Sequence, residues 1–251
     1  MELQTDKPIF FASDQHFGAP TRKESKLREA VFMDWLVHVE QQAGALFLLG
    51  DLFDFWFEYK KVVPKGFVRP LGKLATMADQ GLPIFYFVGN HDLWMTDYFE
   101  KELGIPVFHK PQDFELNGKK FLIGHGDGLG PNDLGYKRMK KVFTNPFLKM
   151  LFRWLHPDIG VALAQYLSTK NKLISGAEDI QFLGEDQEWL AQYCRRKLTQ
   201  QHRDYFLFGH RHLPMRIDLG QNATYINTGD WITHYTYAEL NGTTLSLKTW
   251  K

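Results

Sequence analysis

Short runs of consecutive apolar residues punctuate the chain. Pro8–Ala12, Ala45–Leu49, Pro83–Val88, Lys120–Ile123 and Tyr205–Phe208 are each a few residues long and almost unbroken. Runs of this kind predict strands covered on both faces. Between the early runs the period becomes helical. Within Glu24–Gln42, apolar residues fall at Leu27, Val31, Trp35 and Val39, the spacing of a helix with one buried face. Phe67–Ala78 predicts a second helix. Alternating strands and helices predict an α/β (α+β) architecture. Asn117-Gly118 and Asn241-Gly242 predict hairpins. The chain after Phe206 reads as a run of antiparallel strands, so a mixed sheet is expected. From about Gly128 to Ile180 a turn-rich start leads into helical segments broken at Pro146 and Pro157. This predicts a helical cap inserted at about 128–180 into a single domain spanning 1–251.

Composition narrows the class. The 251 residues, 44% hydrophobic and 24% charged, suit one soluble globular unit with a sizeable core. A net charge of +1 excludes a nucleic-acid-binding polycation. The one cysteine, Cys194, excludes an internal disulfide framework and fits a reducing compartment. It falls in a predicted helix, Asp186–Gln200, where it is expected to pack inertly. Met1–Phe10 lacks the apolar core of a secretory signal, and no apolar run is long enough to span a bilayer. A cytoplasmic location is expected.

Each predicted strand ends in residues that bind metals. The endings are Asp14-Gln15-His16, Gly50-Asp51 with Asp54, Gly89-Asn90-His91-Asp92, Gly124-His125-Gly126-Asp127 and Gly209-His210-Arg211-His212. Ligands of open α/β sheets bind beyond the carboxyl ends of strands, so five such endings converge on one edge. Two divalent ions about 3.5–4 Å apart can clamp the attacking and leaving oxygens of a phosphoryl displacement. Such a pair needs a bridging carboxylate, and Asp51 is the natural one. Asp14 and His16 alternate onto one side of an extended segment and can reach one ion; His210 and His212 share that spacing. Asn90 offers an amide oxygen and His125 an imidazole. This oxygen and nitrogen set without thiolate suits Mn, Fe, Co or Zn.

A hydroxide held by the ions would be the nucleophile, so no Ser or Cys is needed. His91 faces away from the ligands in an extended segment. It is the candidate to protonate the leaving group or hold a phosphate oxygen, with Asp92 orienting its ring. Asp54 reads equally as a loop cap, and Asp127 as a support for a ligand. Gly50, Gly89, Gly124 and Gly209 are expected to permit sharp turns. His38, His109, His156, His202 and His234 read as surface or packing residues.

These motifs resemble those of the calcineurin-like metallophosphoesterases, from Asp14 to His212. The resemblance implies a β-sandwich flanked by helices and a dinuclear centre. One ion would be held by Asp14, His16, Asp51 and His212, the other by Asp51, Asn90, His125 and His210. Mn2+ is the expected metal, with Fe, Co or Zn as alternatives. A narrower likeness joins Ser13–Gly18, Gly50–Trp56, His125-Gly126-Asp127 and Asn132–Tyr136 to the UDP-2,3-diacylglucosamine hydrolases of lipid A synthesis. Those enzymes cleave a pyrophosphate to release UMP and 2,3-diacylglucosamine 1-phosphate, beneath a cap that covers the acyl chains. The chain departs from their best-known form at His91, where that form carries Arg. The resemblance implies substrate contacts at Asn90, His91, Asp133 and Tyr136; Lys170 and Lys172 are further candidates for the pyrophosphate or UMP.

Between Leu134 and Pro157 there is no acidic residue, while Lys137, Arg138, Lys140, Lys141, Lys149 and Arg153 alternate with Phe143, Phe147, Leu148, Leu151, Phe152, Trp154 and Leu155. Such a stretch fits an anionic membrane surface or a cap lining acyl chains; it fits equally a cap helix with a solvated basic face. The expected enzyme is a hydrolase of a lipid-linked nucleoside diphosphate, peripheral on the inner face of the inner membrane. No nucleic acid or obligate protein partner is expected. The alternatives are a phosphoesterase for another nucleotide or phospholipid, and a non-catalytic interaction module.

Overall fold

The computed structural model describes residues 1–130, 134–163, 166, 182 and 184–250, with the side chains of 134–136 outside that set. Two six-stranded mixed sheets pack face to face. In chain order the strands are β1 (Glu2–Leu3), β2 (Ile9–Ala12), β3 (Ala45–Leu48), β4 (Ile84–Phe87), β5 (Val107–Phe108), β6 (Gln112–Leu116), β7 (Lys119–Ile123), β8 (Tyr205–Phe208), β9 (Pro214–Gly220), β10 (Ala223–Thr228), β11 (Thr236–Asn241) and β12 (Thr244–Thr249). One sheet has the order β12-β11-β2-β3-β4-β5, the other β1-β6-β7-β8-β10-β9. Strands β2, β3 and β4 run parallel in the first sheet, as do β7, β8 and β10 in the second.

The unbroken apolar runs follow from burial on both faces. Ile9 and Phe11 point between the sheets, beside Phe47, Phe121, Leu207 and Ile226. Phe10 and Ala12 alternate to the other face, under α1 (Arg22–Gln42), α2 (Val68–Asp79) and α3 (Tyr98–Leu103). The helix Trp189–Leu198 covers the outer face of the second sheet and buries Cys194 against Phe206 and Phe208. The result is a four-layer helix–sheet–sheet–helix stack.

Two expectations need correction. Leu27 is not on the buried face of α1; it is 64% exposed, and the buried stripe begins with Ser25, Arg28 and Glu29. Arg28 donates to the carbonyls of His16 and Ala19, so a charged residue takes an interior place because it ties down a ligand-bearing loop. The C-terminal strands are not one antiparallel run. The chain leaves β8 for the edge strand β9 and returns as β10 between them, parallel to β8. The turn that allows this is Gln221-Asn222, both at positive φ. The break expected at Pro146 is present, because the proline opens a new helix: Asn145 accepts from the amides of Phe147 and Leu148, and Pro146 needs no amide there. Pro157 likewise opens a helical segment at 157–163.

Among the described residues of the 128–180 segment lie α4 (Leu134–Phe143), α5 (Pro146–Arg153) and the helical stretch 157–163. They rest on the strand-end loops through aromatic contacts. Trp94 donates to the Phe143 carbonyl and packs on Phe152, which also meets Phe57. No helix among the described residues is long and apolar enough to cross a membrane.

Candidate metal centre

Six parallel strands, three from each sheet, deliver side chains to one rim. Asp14 and His16 follow β2, Asp51 follows β3, Asn90 and His91 follow β4, His125 follows β7, and His210 and His212 follow β8. Asp230 follows β10. The rim bends sharply. Asp14, His16, Asp51, His210 and His212 all take positive φ, between 46° and 70°. Such backbone is unfavourable for residues with a Cβ and persists only where the surroundings over-determine it.

The glycines do a different job from the one expected. Gly50 does turn at positive φ, but Gly89, Gly124 and Gly209 do not. They provide space. A Cβ on Gly89 would collide with Asp51 Oδ1, and one on Gly209 with Ser13 and Asp14.

Three overlapping groups of donors result, and one of them, His16 with Asp51 and His91, links the other two. Asp14, His16 and His212 each place one donor atom within 4.8 Å of the others, and so do Asp51, His125 and His210. Asp51 Oδ2 lies between them, 3.6 Å from His16 Nε2 and 3.4 Å from His125 Nε2. Asn90 Oδ1 sits 3.0 Å from His125 Nε2 and 2.8 Å from His210 Nδ1. All seven sequence-predicted ligand positions therefore meet at one place.

The donor set fits divalent cations. Asp14 Oδ1 and Asp51 Oδ2 are buried yet make no hydrogen bond. An uncompensated buried carboxylate oxygen is costly, and a cation between them would satisfy both. The electrostatics agree. Burial pushes both carboxyls up, but the surrounding imidazoles outweigh it: His212 and His16 hold Asp14 low, and His125 and His91 hold Asp51 low. Burial opposes charge on His125, yet Asp51 pushes it up to about 10. A proton on His125 thus compensates carboxylates that a metal would otherwise neutralise. Burial and the neighbouring His125 bring His210 down to about 4, which leaves a neutral imidazole.

Around the clusters, carboxylates and carbonyls orient the imidazoles. Leu49 O lies 2.7 Å from His125 Nδ1, and Asp54 Oδ1 is 3.3 Å from His16 Nδ1. Asp230 Oδ2 is 3.4 Å from His212 Nδ1. Partners of this kind fix the ring nitrogen that faces a metal. Asp230 was missed in the sequence, although Gly229-Asp230 just after β10 repeats the pattern of Gly50-Asp51. His234, read as a packing residue, sits 3.2 Å from the other Asp230 oxygen.

His91 and Asp92 do not form the expected pair. Asp92 is fully buried and accepts from Gly89 N, Leu52 N and Tyr86 OH; adjacent side chains diverge here, so it braces the loops instead. Burial and Asp51 raise its pKa to about 7. The ring of His91 is held by Asp54, with Nδ1 at 2.9 Å from the Asp54 carbonyl. A carbonyl only accepts, so Nδ1 carries a proton and Nε2 is the nitrogen that can exchange one. Asp54 thus serves both His16 and His91. Asp127 pairs with Lys140 of α4. Asp133, Lys170 and Lys172 lie outside the described residues, as does the Tyr136 side chain.

Comparison with known proteins agrees with this geometry. Residues 7–214 match the family model of the calcineurin-like phosphoesterases. The chain is 36% identical to a UDP-2,3-diacylglucosamine hydrolase of Porphyromonas gingivalis, over 96% of each protein. It is 29% identical to the enzyme of that name from Haemophilus influenzae, covering 91% of this chain and 92% of that one. Among solved structures, the Thermus thermophilus protein TT1561 superposes with a TM-score of 0.50 at 13% identity, covering 98% of this chain and all of that one, a likeness of fold alone. The seven donors at the rim and the match over most of its length place this chain in the calcineurin-like phosphoesterase family.

Proposed function

We propose that this chain is a hydrolase that cleaves the pyrophosphate of UDP-2,3-diacylglucosamine to UMP and 2,3-diacylglucosamine 1-phosphate. The observation that carries this reading is the near-full-length 36% identity to an enzyme of that name, on a chain whose donor clusters share Asp51. Two divalent ions, Mn2+ in this proposal, would supply positive charge for phosphoryl oxygens and lower the pKa of water. Asp14, His16, Asp51 and His212 would hold one, and Asp51, Asn90, His125 and His210 the other.

The remaining steps belong to side chains. Hydrolysis breaks one P–O bond of the pyrophosphate; the oxygen of water ends on one phosphate and a proton on the other. His91 Nε2 gives that proton, with Asp54 holding the far side of the ring. Asn90, Asp133, Tyr136, Lys170 and Lys172 are the proposed substrate contacts. The cap at about 128–180 covers the acyl chains, and its basic and apolar surface seats the enzyme peripherally on an anionic membrane. Trp154 is 84% exposed and Phe147 61%, beside Lys149 and Arg153, which suits that surface.

Release of UMP by Mn2+-loaded protein from UDP-2,3-diacylglucosamine in mixed micelles tests the reading; no UMP above the metal-free control refutes it. The imidazole of His91 favours a second reading, hydrolysis of a different nucleotide or phospholipid. A panel of phosphomonoesters, diesters and pyrophosphates separates the two.

A further inference from the structure

Beside the centre lies a cavity of about 500 Å³, between the ends of β4, β5 and β7 and the underside of α4. That volume falls in the range of small-ligand sites. Among the described residues, neither Asn90 nor His91 lines it. His125 and Asp127 form its inner wall, so it reaches one member of the cluster of Asp51, His125 and His210. Its floor is apolar, with Phe108, Pro111 and Leu129. Its outer wall is basic.

The cations of that wall divide into two kinds. Lys137 donates to the Gly130 carbonyl and Lys140 pairs with Asp127, so both are engaged. Lys110, Arg138 and Lys141 have no acceptor among the described residues. The field they belong to is felt nearby: burial, then Lys149 and Lys140, hold the His109 imidazole below its usual pKa. An alkyl chain laid against such cations would strip their water and return nothing. A phosphate with a flat heterocycle suits both walls: charge-assisted hydrogen bonds to Arg138 and Lys141, and apolar contact for the base on Phe108 and Leu129.

The two flanks of the centre therefore differ. Phe57 and Trp94, which pack with Phe152, lie on the loops that carry Asp54 and His91, while the basic cavity is lined in part by His125. A substrate with a pyrophosphate at its middle, a lipid at one end and a nucleoside at the other matches that asymmetry. We infer that the cavity under α4 receives the nucleoside monophosphate half of the substrate, with Arg138 and Lys141 on its phosphate and Phe108 and Leu129 under its base. The inference rests on the proposed reaction, which supplies a nucleotide.

Calorimetric titration of UMP and of inorganic phosphate into the Mn2+-loaded protein tests it without turnover. UMP is expected to bind more tightly than phosphate. The R138E/K141E double variant is expected to weaken UMP binding about tenfold or more, with unchanged Mn2+ uptake and melting temperature. K65E, a reversal on an exposed loop residue away from the cavity, is expected to bind UMP as the parent does. Equal affinity for UMP and phosphate, or full UMP affinity in the double variant, overturns the assignment. The reaction fails separately: UMP binding that depends on Arg138 and Lys141, without release of UMP from UDP-2,3-diacylglucosamine, keeps the cavity and refutes the substrate.

Discussion

The rim of the sheets and the helices above it hold their side chains in opposite ways. At the rim, Asp14, His16 and Asp51 are at most 1% exposed, on bent backbone fixed by strands on both sides. In α5 no residue is buried, and its apolar side chains other than Phe152 are exposed. Among the described residues, α4 and α5 are tied down chiefly by Trp94 with Phe143 and Phe152, and by Lys140 with Asp127. The rim is therefore over-determined, and the helices are attached at points. Changes at the rim should strike metal binding and chemistry together. Changes in the helices should alter which substrates are processed while leaving the metals in place.

The strongest way to break this contrast is Asp51→Ala. It removes the carboxylate between the two clusters, and hydrolysis of every phosphoester substrate is expected to vanish with uptake of metal reduced. Gly89→Ala is nearly as telling, because its Cβ enters the space of Asp51 Oδ1. It is expected to destabilise the fold by about 1–3 kcal/mol and to lower metal affinity, read by thermal melts and metal titration. Asp230→Asn tests the supporting layer and is expected to cost about 10–100-fold in metal affinity or activity. Trp94→Ala loosens the hold on α4 and α5. Its expected mark is a raised KM for a long-chain substrate, with metal content as in the parent; lost metal would erase the distinction between the two regions.

The smallest effect is a pH dependence of the metal-free chain. Asp51 raises the His125 pKa from 6.5 to about 10. A raised pKa contributes stability that is complete below the unfolded value and lost as pH rises through the folded one. The metal-free melting temperature is thus expected to decline between about pH 6.5 and 10, and the decline should shrink in His125→Ala.

The same contrast decides what the sequence made legible. Strands β2, β3, β4, β7 and β8 are covered on both faces, so they stand out as apolar runs, and the residues just past them are the seven donors. The two-residue strands β1 and β5 carry too little pattern to be read. Asp230 escaped because β10 ends in polar Asn227 and Thr228, whose side chains bond to the neighbouring rim. Leu27 was misplaced because α1 turns Arg28 inward to hold the carbonyls of His16 and Ala19, in the loop just before the helix. The partner of His91 was mistaken for Asp92 because chain adjacency does not give side-chain direction, and Asp54 reaches the ring across the rim. The cap was legible as a basic, aromatic stretch, but what such a surface faces is set by packing and ligand rather than by local pattern.

Two ions sharing Asp51 are the core of the proposed centre. Exhaustive removal of metal followed by Mn2+ titration, with bound metal counted by mass spectrometry, measures this directly. Two ions per chain in the parent protein, and loss of at least one in Asp51→Asn, are the predicted result. A parent chain that holds one ion or none at saturation, or an Asp51→Asn variant that still holds two, would contradict it.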